Sequence, residues 1–99
     1  MHKLVYLAVI WATLNCSAYC DKGITASGEY VREGICAMDK LNGQWVKFGS
    51  KVYLPDGRML VVTDRFGGNY NNRLDIFLNT ESECWQFGRR WLKCRVEIP

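Results

Sequence analysis

Lys51-Val52-Tyr53-Leu54-Pro55-Asp56-Gly57-Arg58-Met59-Leu60-Val61-Val62-Thr63-Asp64 is the stretch that decides the fold. Two strand-like runs, Lys51 to Leu54 and Met59 to Thr63, flank the tetrapeptide Pro55-Asp56-Gly57-Arg58. Proline presets one turn angle and glycine tolerates the next, so the stretch predicts a β-hairpin. The same grammar extends in both directions. Upstream, Leu14, Cys16 and Ala18 alternate with polar Asn15 and Ser17, which predicts a first strand. Lys22 to Gly34 is loop-like, with three glycines, and Ile35 to Met38 is a brief apolar strand ending at Asp39. Downstream, Asp64 to Arg73 is a polar loop containing Gly67-Gly68 and three asparagines. Leu74 to Leu78 is a strand with Leu74, Ile76 and Leu78 on one face, Asp75 and Phe77 on the other.

Thr80 with Glu83 forms a capping box, so Glu81 to Phe87 reads as one short helix closed by Gly88. The last segment alternates again: Leu92, Cys94, Val96 and Ile98 inward, Trp91, Lys93, Arg95 and Glu97 outward. Six short strands and one helix predict an all-β domain closed into a small barrel. No internal repeat, linker or low-complexity tract interrupts it.

Length and composition agree. Ninety-nine residues, 48% hydrophobic and 13% aromatic, describe one packed domain rather than a disordered tail. The net charge of +3 is mild, and Lys and Arg alternate with carboxylates, which argues against a nucleic-acid binder. The basic excess is local, in Arg89, Arg90, Lys93 and Arg95. It reads either as a solvated face or as attraction to an anionic polymer such as a bacterial wall.

Met1-His2-Lys3 followed by apolar Leu4 to Ala12 has the layout of a signal peptide, too short for a stable membrane span. The expected division is therefore 1–12 for export and 13–99 for the barrel, with cleavage as late as Ala18. A secreted or envelope location follows. Five cysteines, Cys16, Cys20, Cys36, Cys84 and Cys94, suggest disulfides in such a protein. Their spacing does not suit zinc, whose ligands come in close pairs, often with histidine.

The chemistry is bounded by an absence. The only histidine is His2, inside the expected signal segment. The remainder has no Ser-His-Asp or Cys-His machinery, and no phosphate-cradling motif stands out. Carboxylate chemistry is left, and glycosidic bonds are a substrate class that carboxyls alone can cleave. Among ten acidic residues, Asp39, Asp64 and Asp75 differ because each sits in or at the end of an apolar strand. Desolvation there would raise a carboxyl pKa toward the range of a general acid. The competing possibility is that such aspartates cap turns or pair with Arg65 and Arg73.

Seven motifs occur in order: Ser17-Ala18-Tyr19, Gly23-Ile24-Thr25-Ala26-Ser27-Gly28, Ile35-Cys36-Ala37-Met38-Asp39, Phe48-Gly49-Ser50-Lys51-Val52-Tyr53, Val61-Val62-Thr63-Asp64-Arg65, Arg73-Leu74-Asp75-Ile76-Phe77 and Phe87-Gly88-Arg89-Arg90. Together they resemble the three-aspartate (3D) domain of bacterial and phage wall proteins, including stationary-phase survival muralytic proteins. That domain is similar to the catalytic barrel of membrane-bound lytic murein transglycosylases, and the resemblance runs from about Cys16 to Ile98. It implies a six-stranded double-psi β-barrel in which Asp39, Asp64 and Asp75 are the three aspartates. It further implies that Asp75 is the catalytic acid, with Asp64 and Asp39 supporting it and Tyr19, Thr25 and Ser27 lining the sugar groove. The implied partner is peptidoglycan glycan, without metal or organic cofactor. Where many relatives carry Asp-Thr-Gly-Gly, this chain has Asp64-Arg65-Phe66-Gly67-Gly68, as in a branch with arginine after the aspartate. Double-psi barrels of the expansin and barwin groups bind glycan, sometimes without cleaving it. A non-catalytic wall-binding module is therefore the other function this resemblance implies.

Overall fold

The structure is a computed structural model that describes residues 8–99. The strands are β1 (Ala8–Tyr19), β2 (Ile35–Ala37), β3 (Lys40–Leu41), β4 (Gln44–Trp45), β5 (Lys51–Tyr53), β6 (Met59–Asp64), β7 (Arg73–Phe77) and β8 (Arg90–Ile98), with helix α1 (Glu81–Phe87) between the last two. Six of them close into a barrel in the order β1-β7-β2-β6-β5-β8, while β3 and β4 form a separate hairpin. The expected all-β closed barrel with one short helix is what forms. Two neighbouring pairs in the barrel, β1 with β7 and β2 with β6, are parallel, and the other four are antiparallel.

The deciding hairpin joins β5 to β6. Leu54 N donates to Arg58 O at 2.9 Å and Gly57 N to Leu54 O at 3.1 Å, with Gly57 at φ 95°. Asp56 tightens the turn by accepting from the Arg58 amide at 3.0 Å. The helix is bounded as its capping residues require. Thr80 Oγ1 accepts from Glu83 N at 3.1 Å, and Gly88, at φ 64°, donates its amide to Cys84 O.

Alternation within the strands fills the interior. Leu14, Met38, Val52, Val62, Ile76 and Val96 are all essentially inaccessible and belong to one apolar cluster. Phe77 departs from the expected two-faced pattern of its strand. It is also buried, in a second cluster with Val31 and Ile35, because the 22–34 loop folds back over that end. The loop is held by Val31 N donating to Gly23 O and by an Ile24–Tyr30 bridge.

The basic head of the expected signal peptide lies outside the described residues. Its described remainder, Ala8 to Ala12, sits in β1 and pairs with Ile98 to Cys94 of β8. The expected cross-links are not formed in the structure: all five cysteines carry free thiols. Cys16, Cys36 and Cys94 lie in the barrel interior, where they pack as small apolar residues. No helix among the described residues is long and apolar enough to cross a membrane.

Candidate functional site

Barrel register builds the site. Ser17 of β1 pairs with Asp75 of β7, Asp75 with Ala37 of β2, and Ala37 with Asp64 of β6. A register shift between Cys36 and Ala37 brings Asp64, rather than Thr63, opposite Ala37. The four residues form one row across four adjacent strands. With neighbouring strands about 4.8 Å apart, the Asp64 and Asp75 backbones stand about 10 Å from each other. Between them in the row stands Ala37, a small side chain that helps line the cleft. A cleft of about 290 Å³ results, lined by Tyr19, Asp64, Asp75, Arg65, Phe66 and the 21–24 segment.

The two carboxylates are held differently. Asp64 accepts three hydrogen bonds: from Tyr19 Oη at 3.2 Å, and from the amides of Ala26 and Arg65 at 2.9 Å each. Most of its lone pairs are thereby committed. Asp75 accepts, among the described residues, from Ser17 Oγ at 2.9 Å. Burial holds its carboxyl above the usual range; the Ser17 hydrogen bond and the charges of Arg73 and Arg89 oppose this in part. Tyr19 is pushed well above the ordinary phenol, by burial first and by Asp64 second, so its hydroxyl stays a donor. A carboxyl raised by burial thus shares one cleft with a carboxyl fixed by three donors.

The other sequence-expected residues lie elsewhere. Asp39 is 0% exposed and does not line the cleft. Its Oδ1 accepts from Phe66 N at 2.9 Å and its Oδ2 from Tyr70 N at 3.0 Å, so it fastens the 64–72 loop. Thr25 and Ser27 also stand off the cleft lining. Their hydroxyls lie 3.2 Å apart inside a tight turn, and Ser27 N donates to Thr63 O. That turn is what delivers the Ala26 amide to Asp64. Of the six expected residues, the structure brings together Tyr19, Asp64 and Asp75.

Neither expected arginine pairing forms at the aspartates. Arg65 sends its guanidinium away, to Met38 O and Val46 O at 2.7 Å each. Arg73 lies over the rings of Phe66 and Tyr70, at 5.0 and 5.3 Å. Ser17, the direct partner of Asp75, was not singled out by sequence reasoning. Its polar position in an alternating strand was the available signal. A roomier cleft of about 480 Å³ at another face carries Glu33 and Glu83. Those carboxylates are occupied, by the Asn79 amide at 2.6 Å and by the Thr80 hydroxyl at 3.0 Å. Among the described residues no group of histidine, cysteine and carboxylate side chains is placed to hold a metal ion. Comparison with known proteins adds no identity: no protein-family model and no curated protein matches this chain.

Proposed function

We propose that the chain is a peptidoglycan lytic transglycosylase of the three-aspartate type, with a double-psi barrel. The observation that carries the reading is Asp75, a half-buried carboxyl with a raised pKa, opening on a cleft shared with Asp64 and Tyr19. A closed six-stranded barrel with two parallel strand pairs supports the barrel type.

In this reaction Asp75, protonated, donates to the oxygen bridging C1 of N-acetylmuramic acid and C4 of N-acetylglucosamine. The C1–O bond breaks with its electron pair going to the leaving O4. The muramoyl C6 hydroxyl oxygen then bonds to the same C1, and its proton passes to the Asp75 carboxylate. The acid is regenerated, a 1,6-anhydro ring is formed, and no water is consumed. One carboxyl serves as acid and then base, which is general acid–base catalysis by a single group. Asp64 is poorly suited to be a second proton carrier because three donors already occupy it. It instead fixes Tyr19 and the Ala26 turn around the sugar. Asp39 acts through the loop that carries Phe66.

The test is a paired measurement on Asp75→Asn. The variant keeps the shape and should keep binding to purified peptidoglycan while losing release of soluble fragments, on the order of 100- to 10,000-fold. Full fragment release by the folded variant would remove Asp75 from the chemistry. Binding without release by the wild-type protein would leave the wall-binding module as the function.

A further inference from the structure

Beside the cleft stands an array of aromatic rings and cations that the reaction at Asp75 does not use. Trp45, Phe48 and Tyr70 are 55%, 39% and 47% exposed, large apolar surfaces left in water. The Arg65 guanidinium lies 4.0 Å from the Phe48 ring centroid and 5.6 Å from that of Trp45, and the Lys40 ammonium is 5.1 Å from Trp45. These are cation–π distances. Because Arg65 is anchored by two carbonyls at 2.7 Å, the rings above it are set in place.

The backbone beneath is equally fixed. The β3–β4 hairpin turns at Asn42 and Gly43, both at positive φ, as a type I′ turn requires. Asn72 Oδ1 accepts from Asn42 N at 2.7 Å and Asn71 Oδ1 from Gly43 N at 2.8 Å, tying the hairpin to the 64–72 loop. Arg65 and Phe66 line the cleft, so the shelf begins where the cleft ends.

We infer that the Trp45–Phe48–Arg65 shelf is a binding subsite for further sugar units of the strand whose cleavable bond lies at Asp75. The inference rests on the glycan reading of the cleft. A pyranose presents a face of C–H groups that stacks on exposed rings, and rigid aromatics bind at low entropic cost. The interleaved cations of Lys40 and Arg65 complement the carboxylates of the peptide stems that muramoyl units carry. Continuity with the cleft and this charge match select a glycan strand over a neutral apolar partner.

The experiment titrates Asp75→Asn protein with peptidoglycan-derived disaccharide, tetrasaccharide and hexasaccharide by calorimetry. Affinity should rise with length. Adding Trp45→Ala should weaken the hexasaccharide on the order of tenfold and leave the disaccharide unchanged. Trp45→Phe should recover part of the loss, and Phe48→Ala should repeat it. Since Trp45 is mostly exposed on a two-residue strand, its removal should not unfold the barrel. Length-dependent binding that ignores Trp45 and Phe48 would overturn the shelf and leave the cleft reading standing. Absence of binding to every oligomer would overturn both. Loss of a wild-type dimer on Trp45→Ala substitution would assign the shelf to a second copy of the chain, and so overturn the proposal.

Discussion

Replacing Asp39 by alanine should cost more than any other single substitution near the cleft, although Asp39 never touches it. Its fully buried carboxylate accepts two backbone amides, Phe66 N at 2.9 Å and Tyr70 N at 3.0 Å. Hydrogen bonds to a charged group contribute about 1.5 to 3 kcal/mol each. Losing both, and leaving two amides without an acceptor, should destabilise the domain by about 3 to 6 kcal/mol. Against a total stability of roughly 5 to 15 kcal/mol that is a large fraction. For a domain of this size it corresponds to a fall in Tm of at least about 12 °C. Asp39→Asn keeps one acceptor oxygen but sets its NH2 against the other backbone N–H, so it should recover only part of that loss. Urea denaturation of the three proteins gives the difference, with an unchanged m-value as the check that unfolding still exposes the same surface. An Asp39→Ala protein within about 1 kcal/mol of wild type would refute the clamp.

Other consequences concern the site and the thiols. Ser17→Ala removes a hydrogen bond that favours ionised Asp75, so the Asp75 pKa should climb further. In the proposed reaction Asp75 starts protonated, so the alkaline fall in kcat/KM should move to higher pH, and a limb that stays put or moves down would disprove the coupling. Asp75→Asn should be more stable than wild type at pH 7. A folded pKa raised above the ordinary value near 3.9 means ionisation costs stability once pH rises through the raised pKa, whereas no cost exists below about pH 3.9. Thermal melts should therefore converge in acid and separate at neutrality; equal melts at both would contradict the sign. In native protein at pH 8, Cys36, pushed up by burial, and Cys16, pushed up by a thiol hydrogen bond with Cys94 and by burial, should resist alkylation. Partly exposed Cys20 and Cys84 should label first, as peptide mass mapping would reveal.

Much of this architecture was readable in advance because short-range rules govern it. The Pro55-Asp56-Gly57 turn closes through hydrogen bonds between Leu54, Gly57 and Arg58, and Thr80 and Gly88 bound α1 through contacts within four residues. Alternation located Leu74 and Ile76 inside the barrel, yet it misplaced Phe77, since the loop that covers Phe77 is more than forty positions away in the chain. The β3–β4 hairpin escaped notice although Asn42-Gly43 is a strong turn signal, its strands being only two residues long. Asp64 and Asp75, singled out from their places in apolar strands, line one cleft in the structure. Asp39, Thr25 and Ser27 show the limit. Polar residues that fasten loops and those that line a cleft share the same types and positions in sequence. Only the register of four barrel strands separates them, and that register depends on contacts distant along the chain.

In the proposed reaction Asp75 cleaves glycan by closing the muramoyl C6 hydroxyl onto C1. Mass spectrometry of the sugar termini produced from purified peptidoglycan tests it most directly. Wild-type protein should generate 1,6-anhydromuramoyl ends, lighter by one water than hydrolytic ends, and Asp75→Asn should generate none. Reducing, water-added muramoyl ends would rule this reaction out, as would anhydro ends that persist in the folded Asp75→Asn protein.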